Sequence, residues 1–302
     1  MAKQEEMTLL DFQEQFSTEE ACLKHLREMK WPQGFICPRC KHDQCFDLPK
    51  RKLFQCKSCG YQASATSGTV MHRTRTPLKK WFWAIFLMGH DKRGVSAEML
   101  QRELKLSRYC ATLMEHKIRH AMGARDENYQ LSGLVELDES FFGAPTEGGK
   151  RGRGTDKTPV MTGLSLDLQG RPQYVHMQVL DAVNGAAVLD FAEKYIQPYS
   201  MVNTDGLSIY NVLSEPDYDV LSQIFDPVEN PDHLDWIHTF ISNAKAFIGG
   251  TYHGLDKKYL QLYLNEFCWR SNRRHFNGQW FNRLIHTCSL SAPVTYHQLL
   301  RS

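Results

Sequence analysis

The fold is decided by residues 134–143, which read LVELDESFFG. The apolar start of this stretch, residues 134–137, predicts a strand that delivers Asp138 and Glu139 at its end. A charged pair beside an apolar core must be hydrated, paired or bound to a cation, or it becomes neutral. The stretch is therefore either a solvated strand end or part of a cation site with Asp138 as a ligand. Glu139 should point away from Asp138, because side chains alternate along a strand.

The elements around this stretch follow an informative order. We predict strands over 159–168 and 172–180 with a turn at Gln169-Gly170, a helix over 182–196, a short buried strand over 200–204, and helices over 207–213, 234–247, 257–275 and 279–288. Three antiparallel strands, a helix, a strand that ends in Asp205 and then helices is the order of an RNase H-like α/β fold with a mixed sheet.

Asp138 and Asp205 each end a predicted strand, and their carboxylates converge if those strands are neighbours. Mg²⁺ prefers oxygen ligands and keeps several waters, so two carboxylates can hold it. Two such ions about 3.5–4 Å apart activate an attacking oxygen and stabilise a leaving one. Asp205-Gly206 taken alone is equally a common turn dipeptide. The pair in this strand order favours a catalytic Mg²⁺ site.

A third functional group is expected on the helix that follows Asp205. His238 and Lys245 are seven residues apart, which places them on one helical face. A neutral His238 offers a metal ligand, Lys245 a phosphate contact, and Asn243 a carbonyl oxygen. His238 is equally compatible with an ordinary histidine at the edge of a core.

A second metal site is predicted near the start of the chain. The pairs Cys37-x₂-Cys40 and Cys56-x₂-Cys59 are separated by 15 residues, the spacing of a structural zinc site. Short strands are expected over 45–48 and 52–55, which gives a zinc ribbon with one Zn²⁺. A ribbon this small buries little apolar area, so the metal supplies much of its folding free energy.

The flanking segments are predicted to be helical, apart from a polar linker over 61–76. Residues 7–30 carry an apolar stripe, and Ser17-Thr18-Glu19-Glu20 is placed to cap a second helix within it. Helices are expected after Pro77, after Ser96, and over 108–122 with Gly123 as the C-terminal stop. A helix, a short turn and a basic helix with Arg108, Lys117 and Arg119 indicate a helix-turn-helix-like DNA-binding region, and a plain three-helix bundle is the alternative.

Net charge is only +2, but basic residues cluster locally, which suits a polyanionic partner. Two clusters are candidate DNA contacts: Lys150, Arg151 and Arg153 in a glycine-rich run, and Arg270, Arg273 and Arg274 on one helix. No apolar stretch is long enough to span a bilayer and no secretory leader is visible, so we expect a cytoplasmic, nucleoid-associated protein without a membrane partner.

Together these motifs resemble the bacterial insertion-sequence transposases of the ISXO-like group. The resemblance is carried by the four cysteines and by the following segments: TPLKKWF at 76–82, GVSA at 94–97, VELDESFFG at 135–143, GKRGRG at 149–154, NTDG at 203–206, ISNAK at 241–245, GTYHG at 250–254 and YLNEF at 263–267 with RSNRR at 270–274. It implies a DDE-type transposase that cuts and joins DNA ends with Mg²⁺ and acts on double-stranded DNA, both element ends and target, as a homo-oligomer.

The resemblance also assigns residues. Asp138 matches the first catalytic acid of the family and Asp205 the second. Many relatives carry a Glu seven residues before a Lys at the third position, where this chain has His238 before Lys245. Asn243 is the alternative third residue, and Glu266 is a further acid for which a structural role is expected.

The sequence thus predicts an N-terminal helical segment (1–33), a zinc ribbon (34–66), a helical DNA-binding region (67–127), an RNase H-like catalytic domain (128–290) and a tail (291–302). Two other functions remain open. The missing third Glu fits a catalytically impaired or domesticated DNA-binding relative, and the ribbon fits a zinc-ribbon transcription regulator with a nonenzymatic C-terminal domain.

Overall fold

The computed structural model describes residues 7–143, 156–213, 217–223, 226, 233–276 and 278–299. Its regular elements, in chain order, are α1 (Leu9–Gln15), α2 (Glu19–Lys30), β1 (Cys45–Leu48), β2 (Leu53–Cys56), β3 (Gln62–Ala63), α3 (Leu78–His90), α4 (Ala97–Leu104), α5 (Arg108–Asp126), β4 (Leu134–Phe142), β5 (Thr158–Leu166), β6 (Pro172–Val179), α6 (Gly185–Tyr195), β7 (Met201–Thr204), β8 (Asp219–Ser222), α7 (Asp235–Thr251), α8 (Leu260–Asn272), α9 (Trp280–Leu290) and α10 (Tyr296–Leu299). Short 3₁₀ turns lie at Pro49–Arg51, Ser208–Leu213 and Lys257–Tyr259.

These residues form two compact units. The first contains the described residues up to Arg125 together with Phe276–Leu299, and the second contains those of Asp126–His275. Within the described chain, no helix has the length and apolar character needed to cross a membrane.

An aromatic cluster organises the helices of the first unit. Phe12 of α1 stacks on Phe86 of α3 with ring centroids 4.4 Å apart, and Phe281 of α9 lies 5.2 Å from Phe12. Burial of such rings supplies a large share of a small core's stability. Because Phe281 joins this cluster, α9 belongs to the first unit, whereas the sequence analysis had placed it in the domain that ends at residue 290.

Polar side chains set where these helices begin. Thr18 accepts a hydrogen bond from the backbone N–H of Ala21 at 3.1 Å, as expected for the start of α2. Pro77 precedes α3 and has no side-chain acceptor, so the Glu19 carboxylate accepts from the N–H groups of Leu78 and Lys79 instead. Gly123 does not end α5 as predicted, since the helix continues through it to Asp126.

The segment 61–76 is not the linker that its polar composition predicts. Its first part pairs as β3 with β2, which completes the three-stranded ribbon. Val70 and Met71 are fully buried, and the N–H of Val70 donates to the carbonyl of Cys288 in α9. The segment packs through turns, which leave no helical period in the sequence.

A five-stranded mixed sheet with the order β6-β5-β4-β7-β8 forms the second unit. β4, β5 and β6 are antiparallel, whereas β7 runs parallel to both β4 and β8. Apolar clusters cover both faces, one against α7 and α8 and the other against α6. This is the predicted RNase H-like arrangement, with β8 as an edge strand that the sequence analysis did not anticipate.

The central strand β4 is longer than predicted. It runs for nine residues and pairs along its whole length with β5, including Asp138 with Thr162. Its pairing with β7 stops at Glu136 opposite Asn203. Asp138 therefore lies inside β4, at the point where the neighbouring strand ends, and not at a strand terminus.

Candidate metal centres and nucleic-acid surface

The four cysteines of the ribbon form one compact cluster. Cys37 and Cys40 precede β1, and Cys56 and Cys59 lie at and just after the end of β2. The Sγ atoms of Cys37 and Cys59 are 3.6 Å apart, those of Cys40 and Cys56 are 3.5 Å apart, and all four lie within 4.8 Å of one another. A tetrahedral ion with Zn–S bonds of about 2.3 Å separates its sulfurs by about 3.8 Å. The cluster fits a zinc ribbon.

The electrostatics differ between the cysteines of this cluster and favour a thiolate at Cys37, whereas the pKa of Cys59 is raised. Burial opposes ionisation of Cys37, but the backbone N–H groups of Cys40 and Arg39 outweigh it and lower the pKa of Cys37 to about 6. Zinc binds cysteine as the thiolate, so the backbone prepares the first ligand for the ion. Cys45 stays outside the cluster.

The second candidate centre is built by the register of β4 and β7. These strands are parallel neighbours, and Glu136 lies opposite Asn203. If this register continued for two residues past its last pair, Asp138 would lie opposite Asp205, which follows the end of β7 at Thr204. Burial first, and then the charges of Glu139, Asp138 and Asp205, raise the pKa of the Tyr210 hydroxyl. The two predicted acids therefore lie on adjacent segments of the chain, where the pairing of β4 with β7 ends.

Alternation along β4 separates its acids onto two faces. The hydroxyl of Tyr210 donates to Glu139 at 2.7 Å, and Tyr210 belongs to the apolar cluster of α6. Glu136 and Asp138 face the opposite side, toward α7. This agrees with the expectation that Glu139 points away from Asp138.

The first turns of α7 complete the site. Nε2 of His238 lies 3.5 Å from Oδ2 of Asp138, and this contact raises the pKa of His238. The buried Glu136 accepts a hydrogen bond of 2.8 Å from the backbone N–H of Ile237, while desolvation raises the pKa of its carboxyl. Glu136 therefore holds the helix end that presents His238 to Asp138.

The donor set of this site fits Mg²⁺. Asp138 and Asp205 provide carboxylate oxygens, and the buried Oδ1 of Asn203 has no hydrogen-bond partner among the described residues. A buried carbonyl oxygen without a donor favours a cation nearby. Among the described residues, only the four cysteines form a group of three or more His, Cys, Asp and Glu ligand atoms within 4.8 Å. Mg²⁺ needs no such group, because it binds through one or two carboxylates and retains waters.

The other candidates for the third position lie elsewhere. Asn243 is exposed on α7, about 140° around the helix from His238. Glu266 is completely buried in α8, where it pairs with Arg270 at 2.8 Å and accepts from the hydroxyl of Tyr252. Lys245 lies on the same helical face as His238, as the seven-residue spacing predicts. Of the three candidates, His238 is the one in contact with Asp138.

The basic residues of α8 form ion pairs and hydrogen bonds within the second unit. Arg273 is buried and pairs with Asp126 at 2.6 Å, and Arg270 is occupied by Glu266. The guanidinium of Arg274 donates to the carbonyls of Ser271, Gln173 and Pro172. These side chains do not form the exposed DNA-binding face that we expected from their spacing. Lys150, Arg151 and Arg153 lie outside the described residues.

The helix-turn-helix-like region keeps one exposed basic end. A turn of three residues joins α4 to α5, and Ser107 accepts from the N–H of Cys110 at the start of α5. Arg108 is exposed there, whereas Lys117 is half-buried and desolvation lowers its pKa. The N-terminal residues of a recognition helix are those that reach DNA in this motif, which favours Arg108 over Lys117 as a contact.

Three residues of the acidic site had no role in the sequence analysis: Glu136, Asn203 and Tyr210. Glu136 and Asp138 form an acid-x-acid pattern, and residues two apart on a strand share a face. The same argument applied to Asn203 and Asp205 would have identified Asn203. Nothing in the sequence marks Tyr210, whose hydroxyl reaches Glu139 across 71 positions of the chain.

Comparisons with known proteins agree with this architecture. The model of the ISXO2-like transposase domain matches residues 130–272, and the model of the transposase zinc-ribbon domain matches residues 17–62. A protein in transposable element ISH50 of Halobacterium salinarum is 25% identical over 274 residues, which cover 83% of this chain and 90% of the relative. A transposase-like protein of Haemophilus influenzae is 29% identical over 107 residues, 35% of this chain and 86% of the relative.

The fold, the cysteine cluster and these matches define an insertion-sequence transposase with a DDE domain behind a zinc ribbon. Residues 130–272 are thus similar to the ISXO2-like transposase domain, and residues 17–62 to the zinc ribbon of such transposases.

Proposed function

We propose that this transposase binds the ends of its own element and catalyses Mg²⁺-dependent DNA cleavage and strand transfer with Asp138 and Asp205. The observation that supports the proposal is the parallel pairing of β4 with β7, which ends with Glu136 opposite Asn203, two residues before Asp138 and Asp205. Neighbouring carboxylates on a rigid sheet keep their spacing without a bound ion, which suits a site that must orient a phosphate.

Each residue of the site has a role in this proposal. Asp138 and Asp205 hold Mg²⁺, with the amide oxygen of Asn203 beside them. Bound Mg²⁺ supplies activation of the attacking oxygen and stabilisation of the leaving one. His238 takes the third position through its contact with Asp138. Lys245, two turns further along the same helical face, binds a DNA phosphate.

The first unit recognises the DNA duplex in this proposal. The zinc ribbon (34–66) and the helical region (67–127) are separate from the sheet in sequence, which suits recognition of an end by one part and chemistry by another. Arg108 at the start of α5 contacts the duplex. The active complex contains more than one copy of the chain, because two element ends must be joined to one target.

A strand-transfer assay with duplexes that carry the element's ends tests the proposal. Asp138→Asn and Asp205→Asn are each expected to lower the rate about 10³-fold, since a metal ligand contributes several kcal/mol to the transition state. Asp219→Asn, an exposed acid on β8 of the same sheet, is the matched control and should keep the wild-type rate. His238→Ala should lower the rate and Asn243→Ala should not.

A wild-type protein that binds element ends but neither cuts nor joins them with Mg²⁺ contradicts the proposal. That result favours the DNA-binding relative without catalysis, for which the replacement of Glu by His238 is the supporting observation.

A further inference from the structure

An open cavity lies beside the acidic site, within the second unit. It has a volume of about 490 Å³ and is enclosed by the end of β4, the second half of α7 and the loop that follows α7. Pockets of about 300–1,000 Å³ accommodate small organic ligands. Among the described residues, the two predicted acids do not line this cavity, and Lys245 is the predicted DNA contact that does.

The charge that lines the cavity is positive. Lys157, Lys245 and Lys257 line it, and no Asp or Glu stands among its described lining residues. Desolvation and then the neighbouring charge of Lys157 lower the pKa of Lys245, so the two ammonium groups repel each other. Lys257 donates to the backbone carbonyl of Asp156, which holds its chain at the rim. An anion relieves this repulsion, so the lining is complementary to a phosphate.

The remaining wall is aromatic and apolar. Its aromatic residues are Phe141, Phe142 and Tyr252, and its aliphatic residues include Ile248 and Leu255. A simple anion site does not need this wall. Rings beside cations suit a ligand that has both a flat π-face and a phosphate.

The cavity is close to the reacting centre. Phe141 follows Asp138 by three residues on one strand, a separation of about 10 Å. The charge of Asp138 also acts on Lys245. A DNA strand whose phosphate lies at Asp138 therefore passes the mouth of this cavity.

We propose that the cavity holds one nucleotide of that strand, turned out of the helical stack, with its phosphate on the lysines and its base against the aromatic wall. This inference rests on the proposed function and adds a binding pocket to it. It also gives a role to the GTYHG segment at 250–254, which follows Gly249 at the end of α7 and shapes the cavity with Tyr252, His253 and Gly254.

Two adjacent glycines provide a matched test. Gly249 lines the cavity and Gly250 does not, and a Cβ added at either residue meets no atom within 4 Å. Both are in α7, where leucine has a higher helix propensity than glycine. Gly249→Leu therefore fills the cavity and Gly250→Leu does not, while both should preserve the thermal stability.

The first readout is binding of a fluorescein-labelled single-stranded oligonucleotide to the full-length zinc-loaded protein without Mg²⁺. Gly249→Leu should weaken binding about tenfold, because base–aromatic stacking contributes about 1–3 kcal/mol. Gly250→Leu should bind like the wild type. Equal affinities for the two variants, or equal losses, overturn the pocket.

The second readout separates a nucleotide from a simple anion. Lys157→Gln and Lys257→Gln should each reduce the slope of log affinity against log salt by ~0.7. A duplex end with 2-aminopurine near the cleavage site should fluoresce differently on wild type and Gly250→Leu than on Gly249→Leu. An unchanged salt slope, or 2-aminopurine signals identical in all three proteins, contradicts the proposal.

These binding readouts do not depend on catalysis. If the wild type binds the oligonucleotide but transfers no strand, and Gly249→Leu loses that binding, the pocket is supported and the proposed reaction is rejected. If Gly249→Leu binds the oligonucleotide normally while Asp138→Asn and Asp205→Asn lack strand transfer, the reaction is supported and the pocket is rejected.

Discussion

The zinc ribbon and the five-stranded sheet hold their candidate metal ligands in opposite ways. In the ribbon, strands of two to four residues bring four thiols within 4.8 Å of one another. In the sheet, apolar clusters on both faces hold the nine-residue β4, which carries Asp138, against β7, which ends one residue before Asp205. We expect the ribbon to need an ion in order to fold, whereas the sheet has apolar packing on both faces without one.

The difference shows what each metal does. A structural ion belongs to the folding equilibrium, so its removal costs stability. A catalytic ion on a preformed scaffold can leave or exchange while the fold persists. Changes in the two regions should therefore differ in size and in readout, which the following variants test.

The largest effect is expected from Cys40→Ser. The loss of one thiolate removes much of a zinc-binding free energy that reaches about 10–16 kcal/mol in small zinc domains. We expect zinc content to fall from one ion per chain to none and the amides of β1 and β2 to lose protection from hydrogen exchange. Cys45→Ser, a cysteine of β1 outside the cluster, is the control and should retain zinc. Retention of zinc by Cys40→Ser would separate the ribbon's fold from its cysteines.

A smaller effect is expected from Gly163→Ala in β5. An added Cβ lies 2.7 Å from Cδ1 of Leu131 and 2.8 Å from Cε1 of Phe191. Overpacking of this kind costs about 1–3 kcal/mol, which urea unfolding measures. Gly185→Ala meets its nearest atoms at 3.7 Å and should be close to neutral. Equal stabilities for the two variants would mean that packing on the α6 face does not hold the sheet.

The smallest effect is expected from Glu136→Ala. The change leaves the N–H of Ile237 without its acceptor, at a cost of about 1–2 kcal/mol. Removal of a carboxylate that burial disfavours, as its raised pKa indicates, offsets part of this cost. Glu136→Gln keeps an acceptor oxygen and should restore both stability and the amide protection of Ile237. A failure of Gln to restore that protection would show that charge, not the hydrogen bond, holds α7.

Much of this fold could be predicted from local patterns in the sequence. The cysteine pairs were predictable because ligand spacing is a short-range property, and the strands before Asp138 and Asp205 because the order of elements indicated an RNase H-like sheet. The extent of β4 was not, since Asp138, Glu139 and Ser140 are polar although they continue the strand. The positions of Arg273 and α9 depend on partners far away in sequence: Asp126 is 147 residues from Arg273, and Phe281 joins rings of α1 and α3. Charge patterns and hydrophobic periodicity do not identify partners that are so distant in sequence.

The nine-residue pairing of β4 with β5 also determines which acidic side chain faces α7. Asp138 and Glu139 are consecutive, so a slip of one residue would exchange the acid on the α7 face for a longer one and leave the net charge unchanged. Neither charge nor composition distinguishes the two alignments. Val135 and Leu137 are fully buried in the observed alignment and pack with the α6 cluster, which favours that alignment. Substitutions in the core of this strand can therefore silence the chemistry without touching either acid.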